Sequence, residues 1–239
     1  MTGPGVDRNA VATLIVGGDV EWIDADSEAA RALPEVWQAI VAARSAPERV
    51  SAAMARWDHE FVDLLPRFAA LMRDQLIDVV PAMIVGDPAL VYVTTDGDAY
   101  APWVGTDPRD FGEVSPIWDV LPEPLRAFQR NTHPGFGLTW PGVYGIRTPA
   151  DQISRYERLE LADLGVAPEE AVIGEYDGEP VREDEVYLLS FDEAQAFYCV
   201  SPRFRVGEIV FIHYDDFDVV DLWPTLDDVM LMPYRNVVY

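Results

Sequence analysis

The chain has 239 residues, with 42 Asp and Glu against 17 Lys and Arg, for a formal net charge of −25. All 17 basic residues are arginine, which excludes a lysine Schiff base, a P-loop lysine and a protein-kinase lysine. A chain this acidic is also unsuited to binding nucleic acid by phosphate neutralisation, which takes clustered basic residues.

At 49% hydrophobic and 11% aromatic, the sequence can bury a substantial core. Its single cysteine, Cys199, allows no intramolecular disulfide and reads as a small buried hydrophobe. No apolar run reaches the ~18 residues of a membrane span. Residues 11–16 are too short, and lack the basic flank, for a signal peptide, so a cytoplasmic location is expected.

Residues 1–5 read as a flexible start, and residues 12–23 as a short strand pair around Gly17-Gly18-Asp19. Ser27 is a candidate N-cap, and Pro34 opens a helical piece with Val36, Trp37, Ile40 and Val41 on one face. The clearest helix starts at Ser45-Ala46-Pro47-Glu48 and carries a stripe of Val50, Met54, Trp57, Phe61 and Leu64. Pro66 breaks that ladder, so Phe68, Leu71, Met72 and Leu76 belong to another helix. Beyond Pro81 the period changes, and residues 90–95 and 99–104 form a hairpin about Asp96-Gly97-Asp98.

From residue 114 the texture shifts. Residues 121–131 predict an amphipathic helix with Leu121, Leu125 and Phe128 inward, and residues 142–146 a strand. Thr148-Pro149-Ala150-Asp151 starts a further helix with Ile153, Tyr156 and Leu159 inward. An acidic loop over 169–185 uses Gly174 and Gly178 as turn residues. Strand-like runs follow at 186–191, 196–200, 208–214 and 218–222, then a terminal helix from Pro224. This order predicts an α+β fold: a helix-rich region with a β-hairpin over 1–113, and over 114–239 an antiparallel or mixed sheet flanked by helices. The two regions can pack as one unit.

Catalytic signatures are poor. His59 and Asp63, with Glu60 between, give half of a metal-binding helix pattern, but they lie opposite the apolar stripe and read as a solvated face. His213, Asp215, Asp216 and Asp218 could offer ligands to a hard cation, yet the run lacks the glycine and closing glutamate of a calcium loop. Aspartates are also natural turn formers. No Gly-x-Ser-x-Gly elbow is present, Gly135-Phe136-Gly137 lacks a dinucleotide loop's continuation, and His133 reads as a helix C-terminal cap. No catalytic residue, cofactor or metal is assigned.

Charge is the remaining signal. Residues 160–193 hold twelve acids against Arg182 alone, and residues 206–234 hold seven acids and no arginine. Such a field steers a basic partner to encounter.

Leu121-Pro122 introduces an amphipathic helix ending at Asn131, and Gly145-Ile146-Arg147-Thr148-Pro149-Ala150-Asp151 passes from strand to helix start. The runs Tyr187-Leu188-Leu189-Ser190-Phe191, 196–200 and 207–212 supply strands, and Trp223-Pro224-Thr225-Leu226-Asp227-Asp228-Val229 the closing helix. In this order the C-terminal half resembles the SUKH superfamily, which includes yeast cell-wall assembly regulators and many bacterial immunity proteins.

The resemblance covers about residues 114–235 and implies a non-catalytic domain that occludes a cognate toxin, often a nuclease or deaminase. Expected contacts are Glu183, Asp184 and Glu185, then Asp215, Asp216 and Asp218, with Tyr214 and Trp223 as aromatic anchors. Two alternatives stay open: a carboxylate- or metal-dependent hydrolase, and an acidic mimic of nucleic acid that occupies a DNA-binding protein.

Overall fold

A computed structural model describes residues 6–17, 19–97, 99–140, 142–192, 196–214 and 216–235. The start at 1–5, the turn residues Gly18 and Asp98, Glu193 of the first acidic segment, and Asp215 lie outside them. The chain is α+β, with helices dominating the first 75 residues and antiparallel sheets following.

Short polar side chains start the first helices. Asp7 accepts from the backbone N–H of Asn9 and Ala10 to open α1 (Arg8–Ala12). In place of the first of the two strands expected over 12–23 come the end of α1 and turns over 13–17, followed by β1 (Val20–Trp22). Val11 of α1 and Ile15 of the turns after it are buried together. Ser27 caps α2 (Glu28–Ala32), and α3 (Gln38–Ala42) follows a 3₁₀ turn at Glu35–Trp37.

Ser45 and Glu48 form a full capping box on α4 (Ala46–Met54). The stripe expected to run on in one helix is cut there, and Asp58 caps a separate α5 (His59–Asp63). Trp57 and Phe61 are still buried. In α6 (Pro66–Gln75) the N-cap, Leu65, has no side-chain acceptor. Asp227, 160 residues away, takes that role: its carboxylate accepts from the backbone N–H of Arg67 (3.2 Å) and Phe68 (2.8 Å) and from Arg67 Nε (2.9 Å).

The first sheet begins earlier than expected. β2 (Leu76–Ile84) contains Pro81, which is tolerated because β1 registers only with Ala82, Met83 and Ile84. β3 (Asp87–Asp96) and β4 (Ala99–Thr106) pair as the expected hairpin. α7 (Glu123–Asn131) buries Leu125 and Phe128 as its pattern requires. β5 (Phe136–Leu138) then completes the antiparallel order β1-β2-β3-β4-β5, so this sheet takes a strand from beyond residue 113.

One face of the sheet presents Leu90, Tyr92, Trp103 and Phe136 to the helices. There Phe61 stacks on Phe128 at 4.2 Å and Trp57 meets Phe136 edge-on at 5.1 Å. The other face carries Ala82, Ala89, Val91 and Val104, and Val11 of α1 with Ile15 of the following turn covers part of it.

Residues 142–146 are not a regular strand. They make isolated bridges, Phe136 to Ile146 and Val143 to Phe191, that stitch the two sheets together. The helix expected from Thr148 is a 3₁₀ turn, Pro149–Asp151, followed by the single turn α8 (Arg155–Arg158), with Ile153, Tyr156 and Leu159 only half-buried.

The acidic loop is a hairpin, β6 (Val172–Tyr176) and β7 (Glu179–Arg182). It turns at Asp177 and Gly178, both with positive φ, the conformation a two-residue hairpin needs. β8 (Tyr187–Phe191), β9 (Phe197–Val200), β10 (Glu208–His213) and β11 (Asp216–Asp221) form the second sheet, in the order β11-β10-β9-β8.

The β6–β7 hairpin covers one face of this sheet with Val181, Ile173 and Tyr176. The opposite face, through Leu189, Tyr198 and Ile209, joins the main core beneath α9 (Leu222–Val229), which begins two residues before Pro224. A last short helix, α10 (Met232–Arg235), follows.

Candidate partner-binding surface

The residues singled out by charge fall into two places with opposite fates. Glu183, Asp184 and Glu185 form a 3₁₀ turn after β7, where arginines consume them. Glu183 is buried and paired with Arg155 of α8. Burial pushes its carboxyl above the usual range, and the Arg155 hydrogen bond opposes that rise. Asp184 pairs with Arg182 (2.9 Å), and Glu185 with Arg182 (3.2 Å) and Arg203 (3.0 Å).

Glu183 and Glu185 therefore fasten the β6–β7 hairpin to the body of the fold through Arg155 and Arg203, while Asp184 pairs locally with Arg182, so all three residues expected as partner contacts are engaged within the chain. The Arg182 pairs were readable from spacing along the chain. Arg155 and Arg203 arrive only by folding.

Trp223, expected as an aromatic anchor, is half-buried on α9, with its ring 6.1 Å from Phe61 at the margin of the main core. Asp227 and Asp228, counted in the second acidic segment, face Arg67 of α6.

The β10–β11 hairpin keeps its acids outward. His213 registers with Asp216 and Phe211 with Asp218, so period-two alternation sets these four on one face of the sheet. Asp216 and Asp218 are exposed and make no ion pair with any described residue.

An aromatic row runs beside them: Tyr198 to Phe211 at 5.5 Å, Phe211 to His213 at 6.1 Å and His213 to Tyr214 at 4.4 Å. Tyr214 sits at the turn with φ +52° and is 78% exposed. A bulky residue in that left-handed region costs roughly 1–2 kcal/mol, and here it holds the ring out in solvent. Asp215, expected to share this surface, lies outside the described residues.

The other edge of the sheet is closed. Backbone N–H groups of Tyr144 and Arg147 donate to Phe191 and Leu189 of β8, whereas no strand among the described residues pairs with the outer edge of β11.

The remaining titratable candidates sit elsewhere. His59, Glu60 and Asp63 are exposed on the five-residue α5, opposite buried Phe61. Among the described residues no group of three His, Cys, Asp or Glu is placed to hold a metal ion.

His133 is not a helix cap but a fully buried core residue. Its Nδ1–H donates to the Thr106 carbonyl (2.9 Å), and its Nε2 accepts from the Tyr92 hydroxyl (2.8 Å). The hydroxyl in turn accepts from Trp57 Nε1 (3.3 Å). Burial lowers the imidazole to about 4. Cys199 is buried as expected, and burial pushes its thiol up to about 12. No helix among the described residues is long and apolar enough to cross a membrane.

Neither the sequence nor the fold finds a match among protein-family models, curated proteins or solved structures.

Proposed function

We propose that this chain is a cytoplasmic immunity protein that binds a basic bacterial toxin domain, such as a nuclease or deaminase, and neutralises it by occlusion. The observation that carries the reading is how charge is spent. Ten of the 17 arginines make ion pairs with carboxylates among the described residues, while Asp216 and Asp218 beside the exposed Tyr214 have none. Pairing leaves an outward field that is predominantly anionic, with the exposed arginines outside these pairs (Arg31, Arg44, Arg73, Arg130 and Arg158) outnumbered by carboxylates, and such a field accelerates and orients encounter with a cationic partner.

An aromatic flanked by carboxylates is also the composition of an interface anchor with a polar rim. The SUKH-like succession of amphipathic helix, antiparallel sheet and closing helix supports the same class.

The test is co-expression with the basic C-terminal toxin domain of a secreted protein encoded beside this gene. Rescue of growth and a stoichiometric complex are expected. Asp216→Arg with Asp218→Arg should slow association about tenfold or more and flatten its salt dependence. Absence of both rescue and complex would refute the reading. Unchanged association kinetics in the double variant would return these acids to a solubility role.

A further inference from the structure

A second feature lies on the outer face of the first sheet, where α1 stops covering it. A cleft of about 390 Å³ opens there, with Ile84, Ala89 and Val104 among its apolar lining residues. That volume lies within the ordinary range for small-ligand sites. Its walls come from separated segments: Asp87 at the start of β3, Asp110 in the 3₁₀ turn Pro108–Phe111, Trp140 after β5, and Asp151. Trp140 is 38% exposed, unusual for so large an apolar ring, and the cleft is what it faces.

No basic side chain of a described residue lines the cleft. Arg109, next in sequence to Asp110, is turned to Asp107 and the Ala32 carbonyl. Asp151 is shared with Thr148 (2.7 Å) and, weakly, with Arg147 (3.9 Å). Asp87 and Asp110 make no side-chain hydrogen bond or ion pair with any described residue. Burial, then Asp107 and Asp87, raise the Asp110 carboxyl against the opposing pull of Arg109, so the rim carries net negative charge on two exposed acids.

Carboxylates alone would mark only an anionic surface; the concavity and the indole give it a shape. An indole face attracts a cation and apolar lining accepts a hydrocarbon stem. The acids are too dispersed to gather on a metal ion, since no group of three among the described residues is placed to hold one.

We infer that this cleft binds an organic cation, a guanidinium or alkylammonium head on an apolar stem, stacked on Trp140 between Asp87 and Asp110. The head has two possible sources, a free small molecule or the arginine or lysine tip of a protein segment.

Titration of the full-length chain, followed by amide NMR shifts, separates these. The probes are agmatine, a blocked Gly-Arg-Gly peptide and the neutral stem analogue N-butylurea. Saturable shifts confined to residues 84–89, 104–110 and Trp140 are expected with the cations, at least about tenfold tighter than with butylurea.

Binding of agmatine identifies a free ligand as sufficient, and binding of the peptide alone identifies a side chain. Asp87→Asn, Asp110→Asn and Trp140→Ala should each weaken binding about three- to tenfold, and Asp63→Asn, on the exposed face of α5, should leave it unchanged. Unaltered circular dichroism of each variant separates lost contacts from lost fold. Failure of both cations to saturate, or equal weakening by Asp63→Asn, would overturn the assignment. The toxin-binding reading is unaffected by either result, because no partner protein enters the measurement.

Discussion

Lowering the pH should weaken this fold through one buried imidazole, by an amount the structure allows to be worked out. His133 donates from Nδ1 to the Thr106 carbonyl and accepts at Nε2 from Tyr92, so both nitrogens are committed and the ring is neutral. Protonation would set an N–H against the Tyr92 hydroxyl proton inside a shell of Trp37, Phe128 and Phe136.

The folded imidazole titrates at about 4, against an ordinary value of 6.5, so the unfolded chain binds more protons between those limits. The contribution is therefore complete above pH 6.5 and is lost as pH falls toward 4. Its size is about 1.4 kcal/mol lost by pH 5.5 and about 3 kcal/mol by pH 4. Carboxylates also titrate in this range, so the measurement must be differential. Guanidinium unfolding of the wild type and of His133→Gln at pH 7.5, 5.5 and 4 isolates the term, since Gln keeps a donor and an acceptor but does not titrate. The wild type should lose about 3 kcal/mol more than the variant over that span. Parallel losses would refute the neutral, doubly bonded imidazole.

Three further outcomes follow from packing. Asp227→Ala removes the acceptor at the start of α6 and strands the Phe68 N–H and Arg67, so unfolding free energy should drop by about 2–4 kcal/mol in denaturant titrations. Arg155→Met leaves Glu183 buried without its partner and should cost about 3–5 kcal/mol, whereas Arg155→Met with Glu183→Leu should recover most of that; an additive double-mutant cycle would contradict the pairing. Gly105→Ala would put a Cβ 2.6 Å from the His133 ring and should cost at least about 1–3 kcal/mol, read as a lower thermal midpoint.

Local chemistry made several elements legible in advance. Ser45 with Glu48, Ser27, the apolar face of residues 121–131 and the Asp-Gly turn at 96–98 each act within a few residues, and the corresponding caps, helix and hairpin are present. The same Asp-Gly signal stood at Asp177-Gly178, but the surrounding acids masked it, and a hairpin read as a loop. The stripe kept its inward direction from Val50 to Phe61 while the helix beneath it broke, but beyond the break Leu65 is buried in place of Leu64, because the interrupted ladder shifts the helical phase.

The candidate surfaces depended far more on distance in sequence. Composition by itself established that the chain is strongly anionic, has no lysine and can build a large α+β core. It could not establish which acids remain outward. Arg155 reaches Glu183, Arg203 reaches Glu185 and Arg67 reaches Asp227 only after the sheets and helices have packed. Those long-range pairs convert a uniform-looking acidic half into internal fastenings on one side and a free Tyr214-Asp216-Asp218 ledge on the other. Likewise Asp87, Asp110 and Trp140 share a cleft only because β3 and β4 run antiparallel and bring distant segments to one rim. Net charge is a sum over residues and survives any rearrangement of them. Where that charge is cancelled is a property of contacts, and only tertiary structure decides it.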